Sequence, residues 1–189
     1  MKILLITLTI LQSLLSTMEQ KTLVTDITLT QTESAVANAN NMPFTHTGTM
    51  TMRGKQFALN ILGLEAAYDG TTLYVYSEDT EELTLSTPGQ EELLQTNPFL
   101  YAQALIPLCQ YAEKVVGDKT QVTLTPRDMS LGVKKLIIRV VTNTLLPYSV
   151  EIHESDGKVT SIKLSNASYK KECPSFTISK PEAFVNDLR

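Results

Sequence analysis

Over residues 48–105, apolar and polar side chains repeatedly change places at every second position. Met50 and Met52 point one way and Thr49 and Thr51 the other; Phe57, Leu59 and Ile61 then share a face against Ala58 and Asn60. Alternation of period 2 marks strands with one apolar and one wet surface. It predicts strands near 48–53, 56–62, 64–69, 72–77 and 82–86. Asp69-Gly70, between Tyr68 and Thr71, is the signal for a two-residue type I′ hairpin, whose central residues both take positive φ. Upstream, a strand is expected over 22–32, with Leu23, Ile27 and Leu29 opposite Asp26, Thr28 and Thr30, followed by a polar loop over 33–47. Downstream, strands are expected near 111–116, 120–125, 133–142, 147–153 and 158–165, with Asp156-Gly157 as a further tight turn and a last strand near 175–179.

Helical periodicity is confined to two places. Thr87-Pro88-Gly89-Gln90 combines an N-cap, a first-turn proline and the closing residue of a capping box, with Glu91 and Glu92 at the positive end of the dipole. Asn97-Pro98 repeats the pattern, so two short helices are predicted, about 88–96 and 98–106. Phe99, Leu100, Leu105 and Ile106 supply their apolar stripe. At the N-terminus, residues 3–15 after Lys2 match the hydrophobic region of a secretory leader, which marks 1–20 as a signal peptide. The competing reading is an amphipathic first helix over 10–20 through Ile10, Leu11, Leu14, Leu15 and Met18. No cysteine stands where lipid attachment would need one, so the expected product is unanchored.

Many antiparallel strands and few helices make one large curved sheet or barrel the natural architecture. With 189 residues the chain holds one domain. Its net charge of −4 gives no basic footprint for nucleic acid. Cys109 and Cys173 are the only cysteines; a disulfide between them, worth about 4 kcal/mol in the chain-entropy model, and two independent core residues are both open. They have no zinc spacing with His46 and His153, so neither metal nor cofactor is expected. His46 reads as a loop residue, His153 as a surface residue beside Glu151 and Glu154, and Glu78, Asp79, Glu81 and Glu82 as a solvated turn. Without a nucleophile–base pair or a phosphate-binding glycine loop, an enzyme is not expected.

What remains is apolar surface. The sheet face is either plugged permanently by the helices or forms with them a cavity for a hydrophobic ligand.

Four segments in order carry a resemblance. Gly48-Thr49-Met50-Thr51-Met52-Arg53 before Phe57, the hairpin from Tyr68-Asp69-Gly70 to Tyr76, Thr96-Asn97-Pro98-Phe99, and Val185-Asn186-Asp187-Leu188-Arg189 resemble successive motifs of the LolA family of periplasmic lipoprotein carriers. The resemblance spans about residues 21–189. It implies a half-open, incomplete antiparallel β-barrel of about eleven strands with a helical lid. It also implies a monomeric, periplasmic, non-catalytic carrier of acylated lipoproteins. Its implied partners are an inner-membrane lipoprotein-releasing transporter and an outer-membrane acceptor. A lipid-binding or stress-sensing module of the same fold is the alternative. The implied lipid-binding residues are Ile27, Leu29, Met50, Met52, Phe57 and Leu59 on the sheet, with Leu93, Leu94, Phe99 and Leu100 on the lid. Arg53 matches the residue that latches the family's lid, with Gly54-Lys55 where the family usually has proline.

Overall fold

A computed structural model of the protein describes residues 9–32, 43–89, 92–93, 97–128 and 132–189. The first element is a helix, α1 (Ile10–Gln20). Thr9 caps it: the Oγ1 of Thr9 accepts from the Gln12 N–H (3.2 Å), and the Gln12 side chain accepts from the Thr9 N–H (3.1 Å). This reciprocal pair satisfies two N–H groups that a helix start otherwise leaves without partners. Lys21, in extended conformation, ends the helix, and Leu11, Leu14 and Met18 lie on its buried face. Residues 10–20 are therefore helix packed against the core.

The strands are β1 (Thr22–Thr32), β2 (Phe44–Arg53), β3 (Gln56–Ile61), β4 (Leu64–Tyr68), β5 (Leu73–Ser77) and β6 (Glu82–Ser86). Then come α2 (Pro98–Leu105), a 3-10 turn (Ile106–Leu108), β7 (Cys109–Val116), β8 (Lys119–Pro126), β9 (Val133–Val141), β10 (Leu146–Glu154), β11 (Val159–Lys170) and β12 (Phe184–Asp187). All twelve belong to one sheet, ordered β12-β6-β5-β4-β3-β2-β1-β11-β10-β9-β8-β7. Neighbours are antiparallel except β12, which lies parallel to β6. The ends of the order, β12 and β7, do not pair, so the barrel is open.

The sheet corrects several expectations. Its twelve strands fit the expected half-open barrel of about eleven, but the last is β12 rather than 175–179. Residues 171–183 instead form a strap: Phe176 is buried, and the Lys180 ammonium meets the Glu65 carboxylate at 2.6 Å and lies 4.6 Å from the centre of the Tyr76 ring. Strand β2 begins at Phe44, inside the expected loop. The Asp69-Gly70 turn is four residues long, from Tyr68 paired with Leu73. Only Gly70 takes positive φ there, while the Asp69 carboxylate accepts from the N–H groups of Thr71 and Thr72, each at 2.8 Å. Those bonds hold the Asp69 pKa below its ordinary value, the Thr72 N–H contributing most. The first expected helix, 88–96, falls largely outside the described residues, though Glu92 and Leu93 are helical.

One face of the sheet is concave and apolar. Leu23, Ile27, Met50, Met52, Phe57, Leu73, Val122, Leu124, Leu136, Ile138, Val150 and Leu164 lie on it in one buried cluster. Helix α1 touches β1, β2 and β8, and α2 touches β8, so the helices fill the concavity. Gly48 permits close strand approach, since a Cβ there would lie 2.1 Å from the Asn60 carbonyl oxygen.

Candidate apolar binding face

The strand register brings the expected sheet residues together. Leu23 pairs with Met52, Met50 with Leu59, and Met52 with Phe57, so side chains from three adjacent strands meet on one surface. Ile27, Met50, Met52 and Phe57 are buried there, while Leu29 and Leu59 are half-buried against the same cluster. Phe99 and Leu100 of α2 are buried in that cluster, with Leu93 packed at its side. Leu94 lies outside the described residues. Sheet and helix residues expected to form the site thus share one apolar surface.

Little space separates them. The cavity between the helices and the sheet measures about 10 Å³, and Met18, Met52, Gly54, Phe99 and Leu100 help to line it. That is about one water, far below the roughly 300–1,000 Å³ of a small-molecule site. Among the described residues, the helices therefore fill the hollow.

The helices are held differently. At the start of α1, the Ile10 N–H donates to the Glu113 carboxylate of β7 (2.9 Å). At its end, the Gly54 N–H from the β2–β3 turn donates to the Met18 carbonyl (2.7 Å). Helix α2 is entered through Asn97, whose Oδ1 accepts from the N–H groups of Phe99 (2.9 Å) and Leu100 (3.3 Å). Asn97 is 1% exposed, and its Nδ2 is buried without a hydrogen-bond partner among the described residues. The α1 side chains escaped the expected site list, although their i, i+3, i+7 spacing is visible in the sequence.

Arg53 sits at the end of β2, and its Nη1 donates to the Lys171 carbonyl (3.1 Å), at the start of the strap. Among the described residues, that bond runs to the sheet side and not to α2. Cys109 and Cys173 are unbonded; Cys109 is buried and Cys173 exposed. Cys109 fits the reading of an independent core residue, whereas exposed Cys173 does not. Burial pushes the Cys109 thiol pKa up, against a smaller opposing pull from Arg127, so it is a neutral apolar residue at pH 7. Burial likewise raises the Tyr169 phenol above its ordinary range, and its hydroxyl donates to the Leu145 carbonyl (2.8 Å).

Charged groups collect on the opposite face. There Arg139 Nη1 donates to Glu151 (2.5 Å) and to the Ser149 hydroxyl (3.2 Å), its Nε to Gln121 (3.1 Å), and His153 Nε2 stands 3.4 Å from Glu151. This is a cross-strand ladder over β8, β9 and β10 that orders the outer surface. Among the described residues, no three His, Cys, Asp or Glu side chains are grouped so as to hold a metal ion.

An open antiparallel sheet, with helices laid in its apolar hollow, is the setting for the family comparison. The family described as outer membrane lipoprotein carrier protein LolA matches residues 66–178, well over half of the chain. The protein belongs to the LolA family. The matched span runs from within β4 through β11, α2 included, and begins after the segment that ends in Arg53. No curated protein matches the sequence. Among solved structures, it is similar to an uncharacterized conserved protein from Thermus thermophilus, at TM-score 0.61 and 10% identity, over 93% of this chain and 98% of that one. A LolA superfamily protein from Nitrosomonas europaea aligns at TM-score 0.42 and 13% identity, over 88% of this chain and 97% of that one. A putative outer membrane lipoprotein-sorting protein domain from Vibrio parahaemolyticus aligns at TM-score 0.42 and 10% identity, over 87% and 92%. At 10% identity, the likeness to the Thermus protein shows the fold alone. Among the described residues, no helix is long and apolar enough to cross a membrane.

Proposed function

We propose that this protein is a non-catalytic periplasmic carrier that binds the acyl chains of lipoproteins on the concave sheet face once α2 has moved aside. In this reading it accepts cargo from an inner-membrane transporter and delivers it to an outer-membrane acceptor. The observation that carries the proposal is the position of Phe99 and Leu100, which occupy the same apolar surface as Met50, Met52 and Phe57. A fatty tail placed there replaces one set of apolar contacts by another. The carrier domain then includes α1, which builds the floor of the hollow together with the sheet.

The energetics fit a carrier. Burying an acyl chain yields about 0.8 kcal/mol per methylene, so an empty hollow would hold several chains almost irreversibly. Withdrawing Phe99 and Leu100 gives up roughly 1.5–3 kcal/mol for each side chain, which lowers the net affinity and allows release. Methionines at positions 50 and 52 suit a lining that repacks around chains of different shape.

A lipoprotein-release assay with spheroplasts tests the proposal. Added protein should bring an acylated lipoprotein into the supernatant, and Phe99→Glu should abolish or deregulate release while the sheet remains folded by circular dichroism. Unchanged release with the variant would sink the assignment. The filled hollow favours one second reading, a lipid-responsive module that signals without transport. That reading gains if fatty acid binds while spheroplasts release nothing.

A further inference from the structure

Every hydrogen-bonding group of Asn97 can be followed. Its N–H donates to the Leu93 carbonyl (3.2 Å). Its carbonyl accepts from the Tyr101 N–H (3.0 Å) in the first turn of α2. Its Oδ1 takes the first amides of α2, those of Phe99 and Leu100. The one remaining group, the Nδ2 amide, is buried and unsatisfied among the described residues. A buried donor with no acceptor is a standing penalty, since water would satisfy it at once. Asparagine and serine are comparable N-caps, so capping alone does not require an amide here.

From this accounting we propose that Asn97 is the built-in bias of the α2 lid. Its oxygen holds the helix closed, and its unpartnered amide keeps the closed state only slightly favoured over the open one, in which the amide gains water or the ligand's carbonyl. The inference rests on the carrier reading above and names how that site is regulated. The neighbouring contacts agree with it. Phe99 and Leu100, the residues whose amides Asn97 holds, also line the small cavity between α1, the end of β2 and α2. An acyl chain that widens this cavity therefore pushes on the capped residues. Movement of the cap releases the buried amide in the same step.

The test is Asn97→Ser, which keeps a capping oxygen and removes the amide. Hydrogen exchange of the Phe99 and Leu100 amides is read without ligand, and binding is read with a fluorescent long-chain fatty acid. Exchange should slow, and fatty acid should bind roughly five-fold or more weakly, the lower end of the effect of one unmade buried hydrogen bond. Exchange that is unchanged or faster in a variant with an intact melting transition overturns the proposal. Should the serine variant not fold, Asn97→Thr, with its own capping hydroxyl, gives the same reading. If the wild-type protein binds no fatty acid, the carrier reading fails, while the exchange result still decides the role of Asn97.

Discussion

Helices α1 and α2 bury apolar side chains against the same concave surface, yet they are secured by different means. A reciprocal capping box starts α1, Glu113 receives its first amide, and Gly54 donates to the carbonyl of Met18 near its end. Helix α2 has eight residues, and the asparagine that caps it carries an orphaned donor. Equal burial therefore does not mean equal permanence. Local stability depends on satisfied polar anchors as well as on apolar area.

Five substitutions, one of them read in an acid titration, can break or sharpen this contrast. Leu14, fully buried on α1, should be the most sensitive: Leu14→Ala is expected to lower global stability by about 2–5 kcal/mol in a urea titration. Phe99→Ala removes a larger side chain, worth about 3–5 kcal/mol in an ordinary core. Here the loss should be smaller than for Leu14→Ala, because α2 can open locally while the sheet stays folded. Equal or greater loss for Phe99→Ala would make α2 a fixed part of the core. Thr9→Ala breaks the capping box and should cost about 1 kcal/mol, seen as faster exchange at the start of α1 with α2 unaffected.

Acidification supplies a control remote from both helices. The hydrogen bond from Arg139 holds the Glu151 pKa below its ordinary value, against a smaller opposing effect of burial. A depressed carboxylate pKa adds stability above the unfolded value, near 4.3, and loses it as pH falls through the folded value. Global stability should therefore decline below about pH 4.3 in wild type and less so in Arg139→Met, with no selective loosening of α2. The smallest effect is expected for Arg53→Ala, a few tenths of a kcal/mol through the lost bond to Lys171, with α2 exchange unchanged. Faster α2 exchange in that variant would instead tie Arg53 to the lid.

Alternation made most strands legible, because one face of each is packed and the other is wet. It fails where that asymmetry is missing. Residues 44–47 belong to β2 but are mostly exposed on both sides, so they carry no pattern distinct from a loop. Strand β12 is only four residues long and largely exposed, and its parallel pairing with β6 has no local sequence signal. The segment 175–179 looked like a strand, but Phe176 is instead buried within the strap. Helix α1 was ambiguous for a physical reason: a run greasy enough to resemble a leader is also greasy enough to fill a hollow. The apolar face shared by β1, β2 and β3 could be read from alternation alone. The tightness of the closed state could not, since cores and pockets use the same side chains and only coordinates separate them.

Pairing between Phe184 and Glu82 joins positions about a hundred residues apart, and the contact of Thr22 with Lys170 spans still more chain. During synthesis, β1 and β6 both wait with bare edges until their distant neighbours have emerged. Nonlocal closure of this sort slows folding and leaves Leu83 and Leu85 on an open margin meanwhile. A nascent chain stalled before β11 should therefore be the form most in need of a holding chaperone, and the form first to aggregate without one.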